Sequence, residues 1–252
     1  MSFLIENDDC LRAMRTIPTG TIDAVICDPP YCSGGFTETE KKSALAQGIR
    51  SEFARGEDFE WFPNDNMSTA GLIWLLRNMM IEADRLLVDG GSVLVFTDWR
   101  MVPHLAPALE SSGLQYRNMI IWDKGSPGLG SGFRPTHEIV LHYCKSSPKF
   151  YALTGSNVIR QSRINGRDKM HETQKPVQVM AKLIEVVSPV GGTILDPFCG
   201  SGSTGEAALK LGRNFIGIEK AQAHYKTAER RLTAVQTEIE NNLFTPENLE
   251  TT

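Results

Sequence analysis

The chain has 252 residues, 41% of them hydrophobic and 22% charged, with a formal net charge of −4, proportions that predict one globular domain over residues 1–252 with a sizeable core. No apolar run approaches the length of a membrane span, and Met-Ser-Phe-Leu-Ile-Glu-Asn-Asp-Asp at the start is too short and acidic for a signal peptide, so the expected location is the cytoplasm. Five scattered cysteines (Cys10, Cys27, Cys32, Cys144, Cys199) with no C-x-x-C pair argue against a disulfide framework and against a zinc site, and no metal is expected.

Phe3-Leu-Ile-Glu6 predicts a short strand, and residues 8–15 a capped helical turn. A buried strand at 22–27 must stop at Asp28, because Pro29 cannot donate to a sheet ladder. Residues 33–66 lose periodicity and carry Gly, Ser, Thr and many charges, which predicts a long mobile loop suited to act as a lid. Leu72, Leu75, Leu76, Met79, Met80, Ala83, Leu86 and Leu87 recur at helical spacing, with Asp89-Gly-Gly91 as the expected stop before strand 92–96. A helix around 101–112, strands at 117–122 and 138–143, and a Gly-rich connector at 125–132 follow. Pro176 suits the first position of a helix whose buried face is Val177, Met180, Ala181, Ile184 and Val187. Two strand–helix units close the chain: 193–196 into a helix near 204–211, and 214–219 into a long helix past 221 that is expected to fray after about 238.

Charge is unevenly spread. Between Arg117 and Lys182, 11 Lys and Arg stand against 4 Asp and Glu, a basic region on an otherwise acidic chain and the electrostatic pattern of a nucleic-acid binder. Within it, residues 145–170 combine Phe150 and Tyr151 with Lys149, Arg160, Arg163, Arg167 and Lys169, and form the expected substrate-reading segment.

Two stretches point to chemistry. Ala24-Val-Ile-Cys-Asp28-Pro-Pro-Tyr31 places an acid at a strand's carboxyl end, the edge at which open α/β sheets bind ligands. Leu195-Asp-Pro-Phe-Cys-Gly-Ser-Gly-Ser-Thr-Gly205 holds a G-x-G-x-x-G pattern between strand and helix. By spacing alone the glycines also fit a nicotinamide-dependent oxidoreductase. Against that, Asp196 would repel a pyrophosphate, whereas it suits a ligand with an ammonium group. Glu219, ending the next strand, is placed to accept hydrogen bonds from ribose hydroxyls. S-adenosylmethionine, cationic and free of phosphate, fits both acids.

With both motifs in one chain, residues 3–232 closely resemble the S-adenosylmethionine-dependent DNA amino-methyltransferases that modify adenine N6 or cytosine N4. The acid motif precedes the glycine motif, which resembles the permuted order of the beta class. The resemblance implies an α/β, Rossmann-like fold with a mostly parallel seven-stranded sheet and one antiparallel strand. Asn7-Asp-Asp9-Cys10 resembles a family element, implying that Asp9 and the Cys10 backbone hold the cofactor adenine. His171-Glu-Thr-Gln-Lys-Pro176 resembles another, implying that Thr173 and Lys175 line the methionine-tail pocket. Gly132-Phe-Arg-Pro-Thr-His-Glu138 resembles a less specific element. The cofactor contacts expected are Asp9, Cys10, Asp28, Thr173, Lys175, Asp196, Phe198, Gly200, Ser201, Gly202 and Glu219. The segment expected to choose the target is short, which leaves open whether a site is read by one chain, by a homodimer, or loosely.

Asp28 then has a use. Asp28 and the Pro29 carbonyl are suited to accept the hydrogens of an adenine amino group and turn its lone pair outward, with Pro30 fixing the turn and Tyr31 offering an aromatic face to a base flipped from duplex DNA. Arg134, Arg160, Arg163 and Arg167 are the expected DNA contacts. Among the histidines, His171 is best placed near the site, and His104 and His224 read as surface or packing residues. Asp-Pro-Pro-Tyr favours adenine N6. Cytosine N4 and RNA or protein amide methylation share the acceptor chemistry, and a DNA-binding module without activity would leave the acids unexplained.

Overall fold

The computed structural model describes residues 1–30, 68–127, 132–152, 155–163 and 175–243. Along these run β1 (Phe3–Glu6), α1 (Cys10–Met14), β2 (Ile22–Cys27), α2 (Thr69–Leu86), β3 (Leu87–Thr97), α3 (Val102–Glu110) and β4 (Gln115–Asp123). Then come β5 (His137–Cys144), β6 (Val158–Arg160), α4 (Val177–Val187), β7 (Thr193–Asp196), α5 (Ser203–Lys210), β8 (Asn214–Ile218) and α6 (Gln222–Leu243). The expected lid at 33–66 and the residues Tyr31, Arg167, His171 and Thr173 lie outside the described residues.

The strands form one sheet in the order β1-β8-β7-β2-β3-β5-β4-β6. Strand β5 runs antiparallel to β3 and β4, and the other pairings are parallel. Eight strands stand where seven were expected. The eighth, β6, is a three-residue edge strand paired with β4 through Ile121 and Val158, and Val-Ile-Arg is too short to show any alternation.

Strand β2 lies between β7 and β3 and is covered on both faces, which is why residues 24–27 read as an unbroken apolar run. Val25 and Cys27 pack with α1, α2 and α3, while Ala24 and Ile26 pack with α4, α5 and α6. Helix α2 is anchored by Leu72, Leu76, Met79, Met80, Ala83 and Leu86, all buried, and Ser68 caps its start by accepting the Gly71 N–H. At about 1.5–3 kcal/mol for each large apolar side chain buried, packing and not intrinsic propensity holds this helix. One hydrogen bond fixes the strands that matter most for the site: the Thr193 N–H donates to Asp23 Oδ2 at 2.8 Å, tying the start of β7 to the start of β2.

Several boundaries differ from expectation. Helix α2 ends at Leu86, and Asp89-Gly-Gly91 lies inside β3, where the register with β2 shifts between Ile22 and Ala24. Gly90 adopts φ +85°, and a Cβ on Gly91 would stand 2.9 Å from Leu87 Cδ2, so this glycine pair lets the strand jog instead of stopping the helix. Pro176 is the N-cap of α4, one position before its first helical residue. Helix α6 continues to Leu243, past the expected fraying point. Among the described residues no helix is long and apolar enough to cross a membrane.

Candidate active site

Because all strands but β5 run in one direction, the carboxyl ends of the parallel strands share an edge with the start of β5. In sheet order that edge carries Asp9 after β1, Glu219 after β8, Asp196 ending β7, Asp28 after β2, Asp98 after β3, Glu138 near the start of β5, Lys124 after β4 and Arg160 ending β6. The chain leaves β7 for β8 on one side and β2 for β3 on the other, so the topological switch point falls between β7 and β2. Asp28-Pro-Pro30 and the glycine loop thus emerge from hydrogen-bonded neighbours, with Val25 opposite Leu195.

On the β7 side, Asp196 organises the loop. Its Oδ1 accepts the Phe198 N–H at 3.0 Å and its Oδ2 accepts the Thr204 hydroxyl at 2.6 Å. Burial pushes its carboxyl up to about 7, against those two hydrogen bonds and with help from Asp28 and Glu219. The Glu219 carboxylate accepts N–H groups from Gly200 at 2.9 Å and from Ala221 at 2.7 Å. Gly200 has φ +52°, and a Cβ there would meet only the Phe198 carbonyl, at 4.0 Å, so the loop backbone opens onto free space. Gly202, at φ +82°, precedes α5 and packs on α6, where a Cβ would stand 3.2 Å from that of Ala228. From α6 the buried Arg231 reaches back: its Nη1 donates to the Ser201 carbonyl at 3.1 Å and to Ser203 Oγ at 3.2 Å, and its Nε donates to Glu206 at 2.6 Å.

Asp9 caps α1 by accepting the Leu11 N–H and lies 3.4 Å from Lys220 Nζ, beside the end of β8. Cys10 is buried, and burial together with Asp9 pushes its thiol up to about 12, so it offers a backbone contact and not a reactive sulfur. This donor set fits S-adenosylmethionine. Asp28 and Glu219 both act on the Asp196 carboxyl to disfavour further negative charge, so the site favours a cation and opposes a pyrophosphate, and the open glycine loop admits a close backbone approach. Asp9, the Cys10 backbone, Phe198, Gly200, Ser201, Gly202 and Glu219 would hold it. Among the described residues, no three His, Cys, Asp or Glu side chains gather as metal ligands do.

On the β2 side, Asp28 is followed by the buried Pro29 and the half-buried Pro30. Lys175, expected at the methionine tail, has its Nζ 2.7 Å from Asp28 Oδ2 and 3.1 Å from Glu138 Oε2. The ammonium also sits 5.4 Å from the centre of the Phe96 ring. Burial opposes its charge, but Asp28 and Glu138 prevail and hold its pKa above the ordinary lysine value. Glu138 in turn lies 3.2 Å from Lys124 Nζ. Burial would raise the Glu138 carboxyl, yet Lys175 and Lys124 hold it below the usual range. Lys124 is depressed by burial in spite of Glu138, with Arg163 and Lys175 adding to the effect.

Arg134, Arg160 and Arg163 are exposed at the same end of the sheet, Arg160 3.8 Å from Asp123. On the same edge, after β3, the structure exposes Trp99, whose ring centre is 6.0 Å from the Arg100 guanidinium, and before β5 it exposes Phe133 beside Arg134. His104 is exposed, and the half-buried His224 has its Nδ1 3.9 Å from Glu219. Sequence patterning missed Glu138, Lys124, Arg231 and Trp99. Of these, Glu138 stood in the expected strand 138–143 and Arg231 in the expected last helix, but the pairings of the charged three join separate segments of the chain.

A family model described as DNA methylase matches residues 22–230. Among relatives, the type II methyltransferase M.HinfI of Haemophilus influenzae is 31% identical over 255 residues, covering 90% of this chain and 67% of that protein. Among solved structures, the M1.HpyAVI–SAM complex superposes with a TM-score of 0.66 at 23% identity, covering 91% of this chain and 98% of that one. The cytosine-N4-specific PvuII DNA methyltransferase gives 0.68 at 16% identity, covering 96% and 93%. At these identities the two likenesses show the shared α/β fold.

Proposed function

Because the chain belongs to the N6/N4 family of S-adenosylmethionine-dependent DNA methylases, we propose that it is a site-specific methyltransferase acting on the exocyclic N6 of an adenine flipped out of duplex DNA. The observation that carries this reading is the adjacency of β2 and β7, which sets an acceptor for an amine beside a cradle for a cationic donor. When bound, the cofactor supplies an electrophilic methyl carbon. The rest is the protein's work.

An aromatic amine shares its lone pair with its ring and is a poor nucleophile in plane. The Asp28 carboxylate accepts one amine hydrogen and the Pro29 carbonyl, which has no N–H of its own residue to compete, accepts the other, so the lone pair turns toward the neighbouring cradle. Lys175, 2.7 Å away, stabilises Asp28 as an anion, which makes it an acceptor first and a weak base second. The proton shed by the cationic product amine passes to Asp28 or on to water. Tyr31 supplies a stacking face that restores about 1–3 kcal/mol of lost base stacking.

The exposed Arg134, Arg160 and Arg163, with Trp99–Arg100 and Phe133 along the same edge, support DNA as the substrate, by phosphate contact and by stacking. Residues 145–170 are the proposed target-reading segment of a single catalytic domain, acting in the cytoplasm as one chain or as a homodimer. An aspartate before Pro-Pro-Tyr favours adenine over cytosine. The test is mass spectrometry of nucleosides from duplex DNA incubated with the protein and methyl-deuterated S-adenosylmethionine. Labelled N6-methyldeoxyadenosine is expected; labelled N4-methyldeoxycytidine transfers the reading to the other amine, and label in RNA alone overturns it.

A further inference from the structure

The charges behind Asp28 alternate in sign. From the end of β2 through the start of α4 to β5 and β4, the order is Asp28, Lys175, Glu138 and Lys124, with contacts of 2.7, 3.1 and 3.2 Å. Lys175 and Lys124 are both buried, and Glu138 presents one oxygen to each. We propose that Glu138 is a positioning residue for methyl transfer, holding the Lys175 ammonium astride two carboxylates so that Asp28 keeps acceptor strength for the substrate amine, with Lys124 as the counter-charge on the far side. This rests on the function proposed above and assigns Glu138 a part in it.

An ammonium in a dry pocket with a single anionic neighbour draws that carboxylate's electron density wholly to itself, and its positive field falls on the site where the amine becomes cationic in the transition state. Glu138 offsets that field. It also fixes the lysine head from the side opposite Asp28, while the Phe96 ring lies against the ammonium. Among the described residues, further charges on this edge are Asp196 and Glu219 across the β2–β7 junction, Arg163 acting on Lys124, and Asp98, which is engaged by Arg100. Glu138 is thus the anion that separates two buried lysines.

The variants Glu138→Gln, Glu138→Asp and Lys124→Met, compared with wild type, separate positioning from packing. Glu138→Gln is expected to lower kcat roughly 10- to 100-fold while calorimetric binding of S-adenosylmethionine persists, and to bring a rising alkaline limb into the pH–kcat profile, because Lys175 loses an anion that keeps it protonated and its neutralisation removes the field that opposes the cationic amine. Glu138→Asp restores part of the rate and removes that limb. Lys124→Met takes a competing cation from Glu138 and shows no such limb. Independently of activity, the Lys175 side-chain Cε resonance in the ligand-free protein, assigned by its absence in Lys175→Met, titrates at lower pH in Glu138→Gln than in wild type. An unchanged Lys175 titration, a loss confined to KM, or the same alkaline limb in Lys124→Met overturns the proposal. Should Glu138→Gln fail to fold, the Lys175 titration decides in the other two variants: it is expected to fall slightly in Glu138→Asp and to rise in Lys124→Met, which removes a neighbouring cation, and no shift in either overturns the proposal. A wild type that methylates no DNA amine defeats the functional reading, and the lysine titration then still decides whether Glu138 holds Lys175.

Discussion

Replacing Asp196 with Asn is expected to make the protein more stable at neutral and alkaline pH, although the residue lies in the cofactor loop. The Asp196 carboxyl is 2% exposed and stands at about 7 instead of its ordinary 3.8. Folding therefore favours its protonated form. As pH rises from about 4 to about 7 the unfolded chain sheds this proton first, and the folded state loses stability until both states are ionised. At about 1.4 kcal/mol per pH unit, the loss over that window is about 4 kcal/mol. Asparagine removes it without orphaning the loop: its Oδ1 accepts the Phe198 N–H, and its Nδ2 donates to Thr204 Oγ, since a hydroxyl can reverse its role. Urea unfolding of ligand-free wild type and Asp196→Asn at a series of pH values from 4 to 8.5 measures the difference. The gap should open in favour of the variant between about pH 4 and 7 and then stay constant. A gap that is flat with pH, or that grows in favour of wild type as pH rises, refutes the argument that burial dominates this carboxyl.

Four further outcomes are expected. Asp28→Ala should lower labelled-methyl transfer by about 10²–10⁴-fold, while isothermal titration still detects S-adenosylmethionine binding. Arg231→Ala removes the clamp on Ser201 and Ser203 and a partner of Glu206, and should cost about 2 kcal/mol by chemical unfolding; cofactor affinity falls with it, and Arg231→Lys recovers only part. Gly205→Val drives a Cβ to within 2.6 Å of Leu232 Cδ1 and 2.7 Å of Phe215 Cε1, and thermal melts should register a destabilisation of about 1–3 kcal/mol. Arg160→Ala combined with Arg163→Ala should weaken DNA binding across sequences and make the slope of log K against log salt shallower by about one for each phosphate that is no longer neutralised.

How much of this was legible depended on the range of the interaction. Strands 22–27 and 193–196 were read with their observed bounds because each is an apolar run with a charged stop, a local signal. The neighbouring positions of Asp28 and the glycine loop followed from the general rule that ligands meet sheets at strand carboxyl ends. Gly90 and Gly91 misled because a glycine pair after a helical pattern usually ends the helix, whereas here it relieves a close approach to Asp23 and Leu87 inside a strand. Strand β6 was missed because three residues carry no period. Glu138, Lys124 and Arg231 were missed as functional residues for a different reason: their partners are reached only after the sheet is assembled, Arg231 bridging 30 residues to Ser201 and Lys124 reaching 14 residues to Glu138 on the neighbouring antiparallel strand. Charged side chains on a helix or a strand end look solvated until the fold buries them. Lys175 was picked out by resemblance alone, and its pairing with Asp28 became visible only in three dimensions.

For transfer to occur, one amine, held by the acid after β2, must reach the carbon carried by the loop after β7. A crystal structure of the protein with S-adenosylmethionine measures this directly. An attacking nitrogen about 3–3.5 Å from the methyl carbon and about 3 Å from its carboxylate acceptor requires the methyl carbon to lie within about 6.5 Å of an Asp28 carboxylate oxygen. That distance, with the adenosine beside Glu219 and Asp9, is the predicted result. A cofactor whose methyl group points away from Asp28, or lies well beyond that reach, would contradict the claim.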